Sequence, residues 1–181
     1  MTVFKVWVGL FLCLMCTVSS YAAPKQEKTG RLCQDVVERF YHWYLTKAWK
    51  QKHMLPAPYA LKHRAYLFSS SIITQVTEDC QAQVMAGSDL VSLDADPFVG
   101  PDGPAQSYIV ERVTTKDDTC WAEVYGVWGG EKREEPDVTP KLVSKAHGQW
   151  VFENFYFPTS SNPRGVNLLD ALKRTGNKSL R

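Results

Sequence analysis

No run of apolar residues in this chain reaches the about 20 needed to cross a bilayer as a helix. Nothing in it repeats, and no stretch is of low complexity. Charge of one sign is missing too: 21 Lys and Arg stand against 19 Asp and Glu, a formal +2. A balance so close to zero offers no overall field to gather nucleic acid or an anionic membrane. Chemistry-bearing signatures are equally scarce. There is no His-Glu-x-x-His zinc pattern, no Gly-x-Ser-x-Gly elbow and no glycine loop of the phosphate-cradling kind. The four histidines, His42, His53, His63 and His147, never stand four apart, and no cofactor is expected. Only five cysteines occur, and two of them, Cys13 and Cys16, fall within the first 22 residues.

Those first 22 residues carry the clearest signal that is present. Lys5 precedes an apolar run from Val6 to Cys16 interrupted only by Gly9, and Ser20 and Ala22 occupy the small positions of a signal-peptidase site. A cleavable secretory signal ending at Ala22 is expected, hence a periplasmic or secreted protein. Cys13 follows Leu12 and Cys16 follows Met15, neither a small residue, so a lipoprotein is not expected. Cleavage removes Lys5 and leaves a net charge near +1. Three cysteines then remain, Cys33, Cys80 and Cys120, an odd number in a compartment that favours disulfides. Either Cys80–Cys120 or Cys33–Cys80 would join two elements.

After a polar leader at residues 23–30, Leu32, Val36, Val37, Phe40, Tyr41, Tyr44 and Leu45 recur at helical spacing. This predicts a helix from Leu32 to Lys50, broken by Pro56 and Pro58. A less regular helical stretch runs from Tyr59 to Phe68. Ser69-Ser70-Ser71 forms a cap or a bend ahead of a third helix carrying Ile72, Ile73, Val76, Cys80 and Val84, which Gly87 ends. A long loop over 88–105 follows, and the period changes to two. Strands are predicted around Tyr108–Val113, Cys120–Val127, Lys141–Ala146 and Trp150–Phe157, with turns at Asp117-Asp118 and His147-Gly148. Asn167 opens a short amphipathic helix, and residues 176–181 form a polar tail. Helices followed by hairpin-linked strands give an α+β domain over 31–175: N-terminal helices packed on a curved antiparallel sheet of about four strands, with a short C-terminal helix.

Phe40-Tyr41-His42-Trp43-Tyr44-Leu45, Asp94-Ala95-Asp96-Pro97-Phe98, His147-Gly148-Gln149-Trp150-Val151 with Phe155-Tyr156, and Asn167-Leu168-Leu169 stand in this order along the chain. In that order they resemble exported bacterial proteins of the domain-of-unknown-function family 3828. The resemblance implies a cone-shaped domain of the nuclear-transport-factor-2-like and cystatin-like kind, located in a Gram-negative envelope. It implies no activity. This chain departs from the family pattern at Gly100-Pro101-Asp102-Gly103, where relatives carry glutamine-aspartate.

Candidate sites follow from residue type and strand phase. Asp94, Asp96 and Asp102 have the oxygens calcium takes, but the spacing and Pro97 favour turn capping by Asp94 and Asp96, and no metal site is expected. Glu123, between Trp121 and Tyr125 on one strand face, is the candidate carboxylate for a small pocket hydrolase or isomerase. Against that, Cys120, Ala122, Val124 and Gly126 suit packing beneath a helix, which would turn Glu123 outward. Six tryptophans are many for this length. Tyr44 and Trp150 are expected in the core, while Trp43, Trp121, Tyr125 and Trp128 are candidates for binding a partner. The favoured reading is a non-catalytic envelope binding protein for another protein or a small apolar ligand. One version is an immunity protein against an envelope-targeted toxin.

Overall fold

The computed structural model describes residues 23–86, 95–159 and 162–178. The expected signal segment with Cys13 and Cys16, Gly87 as the expected end of the third helix, and the capping candidate Asp94 lie outside the described residues. Four helices and six strands make up an α+β domain: α1 (Ala23–Trp43), α2 (Pro56–Arg64), α3 (Ser70–Ala86), β1 (Ser107–Lys116), β2 (Thr119–Trp128), β3 (Glu131–Lys132), β4 (Thr139–Ser144), β5 (Trp150–Thr159), β6 (Asn162–Asn167) and α4 (Leu168–Lys178). All strand pairs are antiparallel, in the order β1-β2-β4-β5-β6, with β3 pairing β2 beside this path. None of the described helices is long and apolar enough to cross a membrane.

The strands add two to the expected four. β3 is two residues long, too short to leave a period. β6 contains Asn-Pro-Arg-Gly in place of alternating apolar residues. It pairs with β5 through the absence of a side chain: a Cβ on Gly165 would stand 2.8 Å from the Phe157 backbone. The long helix differs at both ends. Residues 23–30, expected as a loose leader, are the first turns of α1; Glu27 pairs with Arg31 one turn on, and Gly30 faces Val113 and Thr115 of β1. At the other end the helix widens into a π-turn over Tyr44–Ala48, closed by Trp49 N–H donating to Tyr44 O at 2.9 Å. α2 begins at Pro56, because proline at the first helical position loses no hydrogen bond. Ser69 caps α3 by accepting from Ile72 N–H, and Asn167 caps α4 by accepting from Asp170 N–H. α4 runs to Lys178 and takes up the start of the expected polar tail.

The buried stripe of α1 is Cys33, Val37, Phe40, Tyr41 and Tyr44, continued by Ala48, each no more than 2% exposed. Leu32, expected on it, is 45% exposed. The stripe is centred one position later than the aliphatic residues alone suggest, since cysteine and tyrosine serve as core residues. It lies over the β2 residues Cys120, Ala122 and Val124, all fully buried. At that crossing Cys33 and Cys120 are disulfide-bonded, with Cα atoms 6.6 Å apart and a sequence separation of 87. This is neither of the two expected pairings. Cys80 is the free thiol, half-buried on α3. Its helix packs near β5 and α4, away from the crossing of α1 and β2.

Replacing Cys33 and Cys120 by alanine removes a cross-link over a long loop and should lower unfolding free energy by about 2–5 kcal/mol. Denaturant titration of both forms checks it. In the unfolded oxidised chain lacking residues 1–22, mass spectrometry after alkylation should find one modified cysteine, Cys80.

Candidate functional site

The alternation of β2 decides which aromatic side chains reach the surface. Cys120, Ala122, Val124 and Gly126 point into the core, and Trp121, Glu123, Tyr125 and Val127 point to the opposite face. Cross-strand register places Thr114 beside Trp121, Arg112 beside Glu123 and Ile109 beside Tyr125 on β1, and Lys141 beside Trp121 on β4. A bulge between Val110 and Arg112 restores this phase after Glu111. The result is a mixed outer face. Ile109 is 42% exposed, Trp121 is half-buried, and Tyr125 is buried.

Glu123 therefore lies on the outer face, away from the interior position that an acid–base carboxylate of a cone pocket needs. Its carboxylate accepts a hydrogen bond from Tyr125 Oη at 2.8 Å and pairs with exposed Arg112 at 3.3 Å. Tyr125 is covered from the other side by Lys132, whose Nζ sits 4.1 Å from the ring centroid. Lys132 in turn pairs with Glu111 at 3.0 Å. This small network joins β1, β2 and β3 across the outer face.

The remaining candidates lie apart from it. Trp128 is half-buried, with the Arg133 guanidinium 5.3 Å from its ring, and its buried indole N–H finds no acceptor among the described residues. Arg133 bonds both Asp102 at 2.7 Å and Asp137 at 2.9 Å, so Asp102 serves an ion pair. The Asp137 carboxylate accepts from Gly126 N–H. Burial pushes the Asp137 carboxyl above its ordinary range, against the opposing pull of Gly126 and Arg133. Trp43 is on the helical side, stacked on Tyr59 at 6.1 Å with Arg64 at 5.0 Å. Tyr44 and Trp150 are in the core, as expected.

The most perturbed carboxyl is Asp96, the capping residue of the acidic loop. Its Oδ1 accepts from the N–H groups of Phe98 and Val99 at 2.9 and 3.2 Å, and its Oδ2 accepts from Tyr44 Oη at 2.6 Å. Burial outweighs these hydrogen bonds and raises the carboxyl to about 6. Burial likewise raises Tyr44, with the Asp96 charge second, and takes Tyr108 to about 12. Tyr41 Oη donates to Phe98 O at 2.9 Å, fixing the same loop to α1. A carboxyl beside two tyrosines could move a proton, but all three groups are committed to holding residues 96–99 onto the helix. The pairing was within reach of sequence reasoning: a tyrosine inside an apolar stripe needs a hydrogen-bond partner for its hydroxyl.

Among the described residues no group of three His, Cys, Asp or Glu could hold a metal ion. Between α1 and the edge strand β1 runs an open groove lined by Glu27, Arg31, Gln34 and Thr114, in which Glu27 and Arg31 are engaged with each other. Comparison with family models, curated proteins and solved structures finds no match to this chain.

Two predictions follow from these contacts. Asp96 has a folded-state value of about 6 against an ordinary 3.8. Between those limits the folded protein holds a proton that the unfolded chain has released, so this group's contribution to stability falls as pH rises from about 4 to about 6. Asp96→Asn keeps the two bonds that Oδ1 accepts from Phe98 and Val99, turns the third round so that Nδ2 donates to Tyr44 Oη, and removes the buried charge. Measured by denaturation, the variant should gain on the native protein by up to about 3 kcal/mol between pH 4 and pH 7. Gly126→Ala would place a Cβ 2.3 Å from Asp137 Oδ2 and 2.9 Å from Ala105 Cβ. It should lower stability by about 1–3 kcal/mol in the same assay.

Proposed function

We propose that the chain is exported to the bacterial envelope and acts there as a non-catalytic binding protein, its protein partner docking on the outer face of the sheet. The observation that carries this is the contrast between the two faces. The inner face is filled ring against ring, with Phe40, Phe68, Phe98, Phe152 and Phe155 at centroid separations of 4.8–5.8 Å. The outer face keeps Trp121 and Ile109 partly open beside a charged network. Such an arrangement suits a protein partner better than a small apolar ligand at the mouth of a cone. Large amphipathic side chains ringed by polar groups are the usual anchors of protein interfaces.

Export is supported by the signal-like first 22 residues and by the Cys33–Cys120 bridge, a bond that oxidising compartments preserve. The kinship with domain-of-unknown-function family 3828, and with it the nuclear-transport-factor-2-like form, belongs to the same proposal. It is supported by where the resembling stretches fall. Tyr44 bonds Asp96, Phe40 packs on Phe98, Phe98 on Phe155, and Asn167 accepts from Asn154 and caps α4. Separate in sequence, they are neighbours in the core. An immunity protein that occludes an envelope-targeted toxin is one specific form of the reading.

Site-specific photocrosslinking in the exported protein tests it. A benzophenone side chain at Ile109 should yield a discrete adduct with a different protein, and Trp121→Ala should reduce it severalfold without lowering the melting temperature much. The same group at Val84, 78% exposed on α3, serves as the comparison. No adduct at Ile109, or an identical pattern at Val84, defeats the proposal.

A further inference from the structure

The near-zero net charge hides a strong segregation. From Arg39 to Thr77 there is no Asp or Glu, while Arg39, Lys47, Lys50, Lys52, Lys62 and Arg64 supply six cations, with His42, His53 and His63 among them. The rest of the chain carries fifteen cations against nineteen carboxylates, a formal −4. None of the ion pairs among the described residues involves any of the six. The fold keeps the stretch together at the C-terminal end of α1. Tyr59 of α2 stacks on Trp43, and Arg64 lies 5.0 Å from Trp43 and 5.9 Å from Tyr66, which brings the basic last turn of α2 back beside α1.

The loop joining the two helices carries the second observation. Gln51 Oε1 accepts the N–H groups of His53 and Met54 at 2.9 and 2.8 Å, folding the loop on itself. Met54 and Leu55 are left 40% and 52% exposed, with exposed Lys50, Lys52 and His53 directly before them. An aliphatic pair next to unpaired lysines is the composition of a loop that dips into a bilayer surface: apolar side chains enter the headgroup boundary and ammonium groups meet lipid phosphates. A protein interface would favour a different set, since lysine is depleted there relative to arginine and aromatic residues, and four of these six cations are lysines.

We propose that this basic, aliphatic end, centred on Lys50, Lys52, Met54 and Leu55, is a peripheral docking surface for an anionic phospholipid bilayer. It lies on the helical side of the domain and does not depend on the partner face of the sheet. The purified protein should co-sediment with phosphatidylethanolamine vesicles containing phosphatidylglycerol and not with vesicles of phosphatidylcholine alone, and added salt should release it. Each lysine lost should weaken binding by about fivefold, so Lys50→Ala with Lys52→Ala gives a large drop while circular dichroism is unchanged. Leu55→Ser, which places a capping hydroxyl at the start of α2, should also weaken binding. Lys116→Ala and Lys145→Ala, at the sheet's hairpin ends, should not. Equal sedimentation with both vesicle types, or a Lys50/Lys52 variant that binds as well as the native protein, overturns the proposal. So does retention on polyglutamate without vesicle binding, which would assign the surface to acidic proteins.

Discussion

Phe40 touches Tyr41, Tyr44, Phe68, Phe98 and Phe152 at centroid distances of 4.8 to 5.8 Å, and through these rings it joins α1 to the loop before β1, to the entry of α3 and to β5. Burial of apolar area is the main favourable term in folding, and here much of it is concentrated where one helix crosses a sheet. The neighbouring polar atoms follow from that crossing. Tyr41 and Tyr44 have hydroxyls that must be satisfied in the interior, and they bind Phe98 O and Asp96. Asp96 is drawn inward with them, which is why its carboxyl is raised.

The same constraint settles what each surface can do. With the inner face given over to packing, the most perturbed carboxyl, Asp96, has both oxygens bonded by Tyr44, Phe98 and Val99. The outer sheet face and the basic end of the helical side are the two regions proposed to meet other molecules. They differ in character. One is aromatic and ion-paired across three strands; the other is aliphatic and lysine-rich, with no carboxylate in 39 consecutive residues. Net charge, a single sum over the chain, cannot separate them.

Much of the layout was legible in the sequence. Two-residue alternation in β2 and three-to-four spacing in α1 and the first turns of α3 reflect burial on one face, which the order of apolar residues records directly. The caps at Ser69 and Asn167, the turn at Asp117 and the inward set Cys120, Ala122, Val124 and Gly126 were readable for the same reason. Less legible were β3 and β6, one too short and one built on Gly165, since neither has an alternating side-chain pattern. The early start of α1 was hidden because its first turns are polar.

The sequence by itself determined class, the order of the main elements and which face of β2 is buried, because those depend on periodicity within one segment. Tertiary structure decided the Cys33–Cys120 pairing, the clasp of Asp96 by Tyr44, the outward place of Glu123 beside Arg112, and the approach of Arg64 to Trp43. Each of these joins residues from different elements of the chain. Local pattern carries no information about such distances; packing of α1 on the sheet sets them.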